Sequence, residues 1–404
     1  MRVACITLAL SAGLLSTASS AVAQVPLTLA EALARARERA PQVVSARLAI
    51  EESRARLAGA NHLQSNPDFE AGIGNRQGSG SRSTDIDIGI GQSFEPGRRR
   101  ASRRDMATAG IEHSSASADE VARTVLLDTA TLFLRGLLLA EHARLLERSL
   151  ELANNVLRIA ERRFQAGDVA VLDVNIAKSA AARIRAERQG VLAERVIVVG
   201  ELRELLQLED AIELRGDLPA AAEVDRAGIT DAASRRPELR ALEAAIREAE
   251  AEQQFGRSFT RADYAFAARY QRDQRDNIVL GGLTLTLPMF SKGQEPIAAG
   301  LARAARLRAE LSSARIRIGI EVQSALQAYD SRAAAVRILE REALPGLDEN
   351  DTLATRSFEV GQLGLVELLL IRREIIDTRT QYVDALLAAA LARIELDARA
   401  GVLR

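Results

Sequence analysis

Tryptophan is absent and aromatic residues make up only 3% of the 404 residues, so this chain does not build a compact core around large rings. Ala, Leu, Arg and Glu dominate instead, the composition of long helices and bundles. One cysteine, Cys5, leaves no disulfide, and three histidines, His62, His113 and His142, form no two-histidine metal motif. His113 and His142 fall about eight turns apart on one predicted helix and cannot share an ion. Carboxylates alone remain as weak cation ligands, and no cofactor is expected. The serines of "HSSASADE" after His113 read as a polar helix face, because nucleophilic catalysis needs a base and an orienting partner in a fixed pocket; no enzymatic activity is expected. A net charge of −1 argues against nucleic acid, whose phosphates call for a basic surface. No stretch beyond the N-terminus reaches the roughly 18 to 20 uncharged apolar residues of a membrane-spanning helix. Any membrane crossing has to be made by β-strands.

The chain begins Met1-Arg2, continues through an apolar run from Val3 to Leu15, and reaches Ala21-Val22-Ala23 before Gln24. A basic start, a short apolar stretch and an A-x-A site predict a secretory signal peptide over residues 1–23, the alternative being a buried N-terminal helix. Cys5 lies inside that segment, too early to be acylated as in a lipoprotein. The mature chain is expected to leave the cytoplasm.

Within the remainder the sequence repeats. "RRFQAGDVAVLDV" (162–174) aligns with "TRSFEVGQLGLVEL" (355–368), pairing Phe164 with Phe358, Gly167 with Gly361, Leu172 with Val366 and Asp173 with Glu367. Pro41 pairs with Pro237, Asp68-Phe69 with Asp263-Tyr264, and Pro96 with Pro288. Matches in one order predict an internal duplication, with residues 24–215 and 216–404 as its two copies.

Each copy opens with a helix, about Thr28 to Ser65 with a break near Pro41, and Thr230 to Phe255. Two alternating stretches follow. Phe69, Ala71 and Ile73 oppose Glu70, Gly72 and Gly74, and Ile86, Ile88 and Ile90 oppose Asp85, Asp87 and Gly89. In the second copy Tyr264, Phe266 and Tyr270 alternate with small residues and Arg269, and Leu283, Leu285 and Leu287 alternate with Thr284 and Thr286. Period two predicts strands with one apolar face, at about 67–75, 84–93, 262–271 and 277–289. Long helices follow, about Arg99 to Arg163 and Glu295 to Leu344, then glycine-bearing tips near 164–172 and 358–366, then return helices about Leu172 to Gln207 and Val366 to Ala400. On the last helix Leu368, Ile371 and Ile375 head one apolar stripe and Ile376, Val383 and Leu387 another, leaving Arg372, Arg373 and Glu374 to the wetter face.

Four strands cannot close a barrel, and open edges in a bilayer leave backbone groups unpaired at several kcal/mol each. Barrels begin at about eight strands, and eight are filled by their own side chains. Three chains would supply twelve strands and a lumen.

The duplicated hairpin and long-helix unit, the phenylalanine-x-x-glycine turns at Phe164 and Phe358, and the prolines after the strands resemble the TolC-like outer-membrane efflux proteins. "GQSFEPGRRRASR" resembles the heavy-metal, cobalt-zinc-cadmium branch. The resemblance implies a mainly α fold with a membrane β-barrel part: a homotrimer with a twelve-stranded barrel among outer-membrane lipid and an α-helical tunnel across the periplasm. It implies two further partners, a periplasmic adaptor (membrane fusion) protein and an inner-membrane RND-type pump, and passive conduction of metal cations or small toxic compounds. The tips Phe164, Gly167, Leu172, Phe358, Gly361 and Val366 would dock the adaptor. Glu367, with Asp173, would ring the entrance, although Leu370 stands where the family often carries a further acid. Pro96 and Pro288 would mark the barrel-to-tunnel junction, with Arg98, Arg99 and Arg100 a solvated charge cluster beside them.

Plainer readings stand beside these. Glu367 and Asp173 could each simply charge the first turn of a helix, at about 0.3 to 1 kcal/mol, and Phe164 and Phe358 could be packing residues of the tips. For the whole chain the alternative is a soluble periplasmic coiled-coil adaptor, which would share the long helices but leave the two hairpins unexplained.

Overall fold

The computed structural model describes residues 25–403 apart from 79–80, 221 and 274–275. The expected signal peptide over residues 1–23, and the turns at 79–80 and 274–275, lie outside the described residues.

The first half runs β1 (Val25–Leu27), α1 (Leu29–Arg39), α2 (Pro41–Ala60), β2 (Asp68–Gly78), β3 (Ser81–Phe94), α3 (Arg99–Gln165) and α4 (Val171–Leu205). Thr28 starts α1 with a capping box: Glu31 Oε2 accepts the Thr28 N–H at 2.8 Å and the Thr28 hydroxyl accepts the Glu31 N–H at 3.4 Å. Pro41, which cannot donate and which holds Ala40 in an extended conformation, ends α1 and opens α2. The second half runs β4 (Ile212–Leu214), α5 (Arg226–Ala233), α6 (Pro237–Ser258), β5 (Asp263–Asp273), β6 (Asp276–Thr286), α7 (Gln294–Ile338), a π-helical turn (Leu339–Ala343), α8 (Leu347–Glu359) and α9 (Leu365–Ala400). Here Asp225 caps α5 through the Gly228 N–H at 3.1 Å, and Pro237 opens α6 as Pro41 opens α2.

The second long helix differs from the expectation that it runs on to Leu344. It leaves α geometry at Leu339, where the Leu344 N–H donates to the Leu339 carbonyl at 2.9 Å, five residues back. Pro345 has no N–H to continue the ladder, and Gly346 takes the left-handed conformation (φ 84°) that starts α8.

At 1.5 Å per residue the 67 residues of α3 span about 100 Å. The core is accordingly a series of small apolar clusters strung along the wall of helices. One joins α1, α2, α3, α4 and α9 around Phe133, Leu134, Leu202 and Leu206; a second joins α5, α6, α7 and α9 around Tyr329 and Leu396; a third lies at the tips around Val156, Phe358 and Leu368. β1 pairs in parallel with β4, fastening the start of the described chain to the segment after α4.

The four long strands form one antiparallel sheet in the order β2-β3-β5-β6. Register puts Phe69 opposite Ile90, Gln92 opposite Phe266 and Phe266 opposite Leu283. One face therefore carries Phe69, Ile73, Ile88, Ile90, Leu283 and Leu285, and the other Glu70, Asp87, Arg269 and Thr284, with Ile278 and Leu280 as apolar exceptions. Phe69, Ile73 and Val279 are 71%, 83% and 79% exposed in the single chain.

Candidate functional site

Both tips are built by the same backbone device. At the end of α3, Gly167 adopts φ 83° and the Asp168 N–H donates to the Arg163 carbonyl at 2.8 Å; at the end of α8, Gly361 adopts φ 79° and the Gln362 N–H donates to the Ser357 carbonyl at 2.8 Å. Such a Schellman end requires a left-handed residue, which glycine supplies without steric cost. The return helices then begin at equivalent points, Val171 and Leu365.

The tips lie side by side. Arg163 of the first places its guanidinium 5.7 Å from the centre of the Phe358 ring of the second. A cleft of about 220 Å³ between them is lined by Ala160, Asp173, Gly361 and Gly364, among others. The two matching phenylalanines have different surroundings: Phe358 is buried, whereas Phe164 is 45% exposed. Leu172 and Val366 hold the same second position of their helices and are both exposed, as are Val171, Val360 and Leu370. The tip end of the wall is thus an apolar rim.

Asp173 and Glu367 also occupy one equivalent position, the third of their helices. Glu367 is long enough to fold back, and its Oε2 accepts the Gly364 N–H at 2.9 Å. Its carboxylate therefore caps α9 while remaining exposed. Asp173, one methylene shorter, makes no such capping bond at Ala170.

Arg372 was missed. Expected on the wetter face of α9, it is only 9% exposed. Its Nε donates to Asp351 Oδ1 at 3.1 Å, its Nη2 to the Thr355 hydroxyl at 3.0 Å and its Nη1 to the Leu152 carbonyl at 3.3 Å. One side chain thereby joins α3, α8 and α9 just above the tips. Spacing alone gives no sign of this, since the partners lie on other elements.

The junction differs from expectation in the same way. Pro96 is buried and Pro288 half-buried; each stands two residues past the end of its strand, where a missing N–H keeps the ladder from continuing. Arg99, expected in a solvated cluster, is buried: it pairs with Asp263 at 2.6 Å and lies 4.5 Å from the centre of the Phe259 ring. Arg103 is buried too, donating to Glu95 Oε2 at 3.1 Å and to the His62 carbonyl at 3.0 Å. These two pairs fix the sheet on the helices, while Arg98 and Arg100 are exposed.

His113 and His142 both lie on α3 and serve separate contacts, with Glu248 at 2.7 Å and Asp384 at 3.0 Å. Among the described residues, no group of three or more His, Cys, Asp or Glu is placed to hold a metal ion. No helix among them is long and apolar enough to cross a membrane.

Residues 32–206 match the outer membrane efflux protein family. Over 309 residues, 72% of this chain and 71% of the other, the sequence is 22% identical to the cobalt-zinc-cadmium resistance protein CzcC of Cupriavidus metallidurans. Among solved structures, the fold is similar to a membrane protein of Pseudomonas aeruginosa (TM-score 0.76, 17% identity, 92% of this chain and 90% of that one). It is also similar to the outer membrane protein VceC of Vibrio cholerae (TM-score 0.73, 15% identity, 92% and 96%).

Proposed function

We propose, from the match of residues 32–206 to the outer membrane efflux protein family, that the chain is the outer-membrane channel subunit of a tripartite efflux system. The observation that carries this is the sheet: four strands with an exposed apolar face, a charged opposite face and two unpaired outer strands, continuous with long helices of which α3 alone spans about 100 Å. An apolar face of that extent in water would be an aggregation hazard, whereas in a bilayer it is the surface a barrel presents. A soluble adaptor has no use for it.

Closing β2 and β6 requires strands from other copies, and three copies give twelve strands around a lumen. The helices support the same assembly. α4, which packs on α3, leaves Val196 and Ile197 exposed, and α7 leaves Ile316 and Ile320 exposed, so the wall has an apolar edge on each side for the next copy. In this reading the two halves of the chain arose by duplication, the barrel stands in the outer membrane, and the helices form a tunnel in the periplasm. The tips, with Leu172 and Val366 on their rim, meet a periplasmic adaptor that links the tunnel to an inner-membrane pump. Three copies of Glu367 ring the entrance. Its capping bond to Gly364 holds each carboxylate at the tip, so cap and charge are one feature. The channel passes what the pump delivers; the likeness to a cobalt-zinc-cadmium resistance protein and the acidic entrance favour cations.

The test is single-channel conductance of the purified protein in planar bilayers, for wild type, Glu367→Gln and Glu367→Ala. Discrete openings with a cation preference that falls in both variants support the channel and its entrance ring. Inserted protein that never conducts, whatever the variant and adaptor present, would refute the reading.

A further inference from the structure

At the level where strands become helices, the chain exposes apolar side chains and unpaired cations together. β6 ends at Thr286, and its apolar face continues through Leu287 and Met289 to Phe290, which are 64%, 68% and 90% exposed. This loop is fixed rather than loose. Gln294 Nε2 donates to the Phe290 carbonyl at 2.7 Å, and the Lys292 N–H donates to Gln294 Oε1 at 2.7 Å. Gly293, at φ 74°, sits so close to α6 that a Cβ there would lie 2.1 Å from the Gly256 carbonyl oxygen. Phe290 is therefore held outward by backbone contacts on its far side.

Cations occupy the same level at three of the four strand-helix crossings. Arg98, Arg100 and Arg104 lie between β3 and the second turn of α3, Arg257 in the last turn of α6, Arg261 between α6 and β5, and Lys292 between β6 and α7; all six are exposed. None forms an ion pair among the described residues. Two nearby acids, Asp263 and Glu95, are already engaged by the buried Arg99 and Arg103, which leaves Asp68, Asp105 and Glu295 against six positive charges.

We propose that this level is a binding belt for anionic phospholipid in the inner leaflet of the outer membrane, with Met289 and Phe290 seated at the boundary of headgroups and acyl chains and the cations around the phosphates. The belt rests on the reading that the sheet crosses the outer membrane, and it lies on the helix side of the sheet, which in that reading is the periplasmic side. Apolar and aromatic side chains settle at such boundaries, and basic residues beside them attract anionic headgroups. The attraction acts over about one Debye length, roughly 8 Å at physiological salt, so cations must lie next to the headgroups, as a ring at one level does.

The absence of tryptophan permits a direct test with two single-tryptophan reporters in the full chain, Phe290→Trp at the belt and Val279→Trp on the apolar face of β6. Each is reconstituted in vesicles of phosphatidylcholine and phosphatidylglycerol, with the bromine quencher on the acyl chains of one lipid or the other at the same overall composition. The strand reporter, at position 279, is expected to be quenched by both. The belt reporter, at position 290, is expected to be quenched more strongly by brominated phosphatidylglycerol, and combined Arg98→Gln, Arg257→Gln and Lys292→Gln substitution should reduce that preference by about fivefold or more. Quenching of the strand reporter with the belt reporter unquenched, or quenched equally by the two lipids, overturns the belt while the membrane reading stands. Neither reporter quenched overturns both.

Discussion

Replacing Arg372 by alanine should loosen α8 without disturbing the rest of the wall. The guanidinium makes three hydrogen bonds, to Asp351, Thr355 and the Leu152 carbonyl. Hydrogen bonds involving charged groups contribute about 1.5 to 3 kcal/mol each, so a simple sum would come to about 4.5 to 9 kcal/mol. Two effects reduce it. The Asp351 side chain is 28% exposed and can rehydrate, and water enters the space the arginine leaves. A net loss of about 2 to 3 kcal/mol in the local stability of α8 remains. Amide hydrogen exchange over residues 347–359 in the reconstituted protein reads this as a fall in protection of about 30- to 150-fold. Arg373, the next residue, is the control: its side chain is 63% exposed and 3.6 Å from Asp377. Its replacement by alanine should cost about 0.5 kcal/mol or less, within roughly threefold in protection. Equal losses in the two variants would refute the assignment of Arg372 as the pin of the tip. A double variant, Arg372→Met with Asp351→Leu, should recover part of the loss, because it removes both charges rather than stranding one.

Other perturbations probe the packing and the pore. The hydrogen bond from His113, then the charges of Arg303 and Arg56, hold the Glu248 carboxyl below its ordinary range against the opposing effect of burial. A depressed carboxylate adds stability that is fully present above the unfolded value, about pH 4.3, and is lost as pH falls through the folded one; Glu248→Gln should flatten this acid limb in a pH series of thermal melts. Gly300→Ala would place a Cβ 2.8 Å from the Ala249 carbonyl oxygen and 2.9 Å from the Gln253 nitrogen, forcing α7 off α6 at about 1 to 3 kcal/mol and lowering the melting temperature. Gly190→Ala meets nothing within 4 Å and should instead stabilise α4 by up to about 1 kcal/mol. On the charged sheet face Arg269 lies 2.7 Å from Glu70 and 3.5 Å from Asp87; Arg269→Gln should raise the cation-to-anion permeability ratio, while Arg272→Gln on the opposite face leaves it unchanged.

Where the sequence is informative, the reason is local. Proline removes a donor and glycine permits φ above zero, so the breaks at Pro41, Gly167 and Gly361 need no knowledge of distant neighbours. The strands are legible because their two faces meet different surroundings, and alternation records this directly in Ile86, Asp87, Ile88. Arginine is where local reasoning fails. Arg99 and Arg372 read as solvated because arginine usually is, yet each is buried beside a carboxylate, with ring or carbonyl contacts besides. Asp263 lies far along the chain from Arg99, and Leu152 from Arg372. A burial that depends on partners so distant leaves no periodic trace.

Phe164 and Phe358 carry this argument one step further. They match in sequence and stand at equivalent points on equivalent Schellman ends, yet only Phe358 is covered, by Arg163 of the neighbouring tip. Within one chain the first tip has the second on one side and nothing on the other. In a closed ring of three copies every first tip would gain the second tip of the adjacent copy, a heterologous contact repeated by rotation. The position that matches Arg163 on the second tip is Ser357, but Arg356 stands beside it near the end of α8, and this is the cation the adjacent copy can offer Phe164. The expected outcome is that a thiol placed at position 164, by Phe164→Cys in a chain whose only other cysteine is Cys5, reacts with maleimide about tenfold more slowly in the assembled protein than after detergent dissociates the copies. Equal, fast labelling of that thiol in assembled and dissociated protein would mean that the tips of adjacent copies stand apart, leaving Phe164 on the open rim beside Leu172 and Val366.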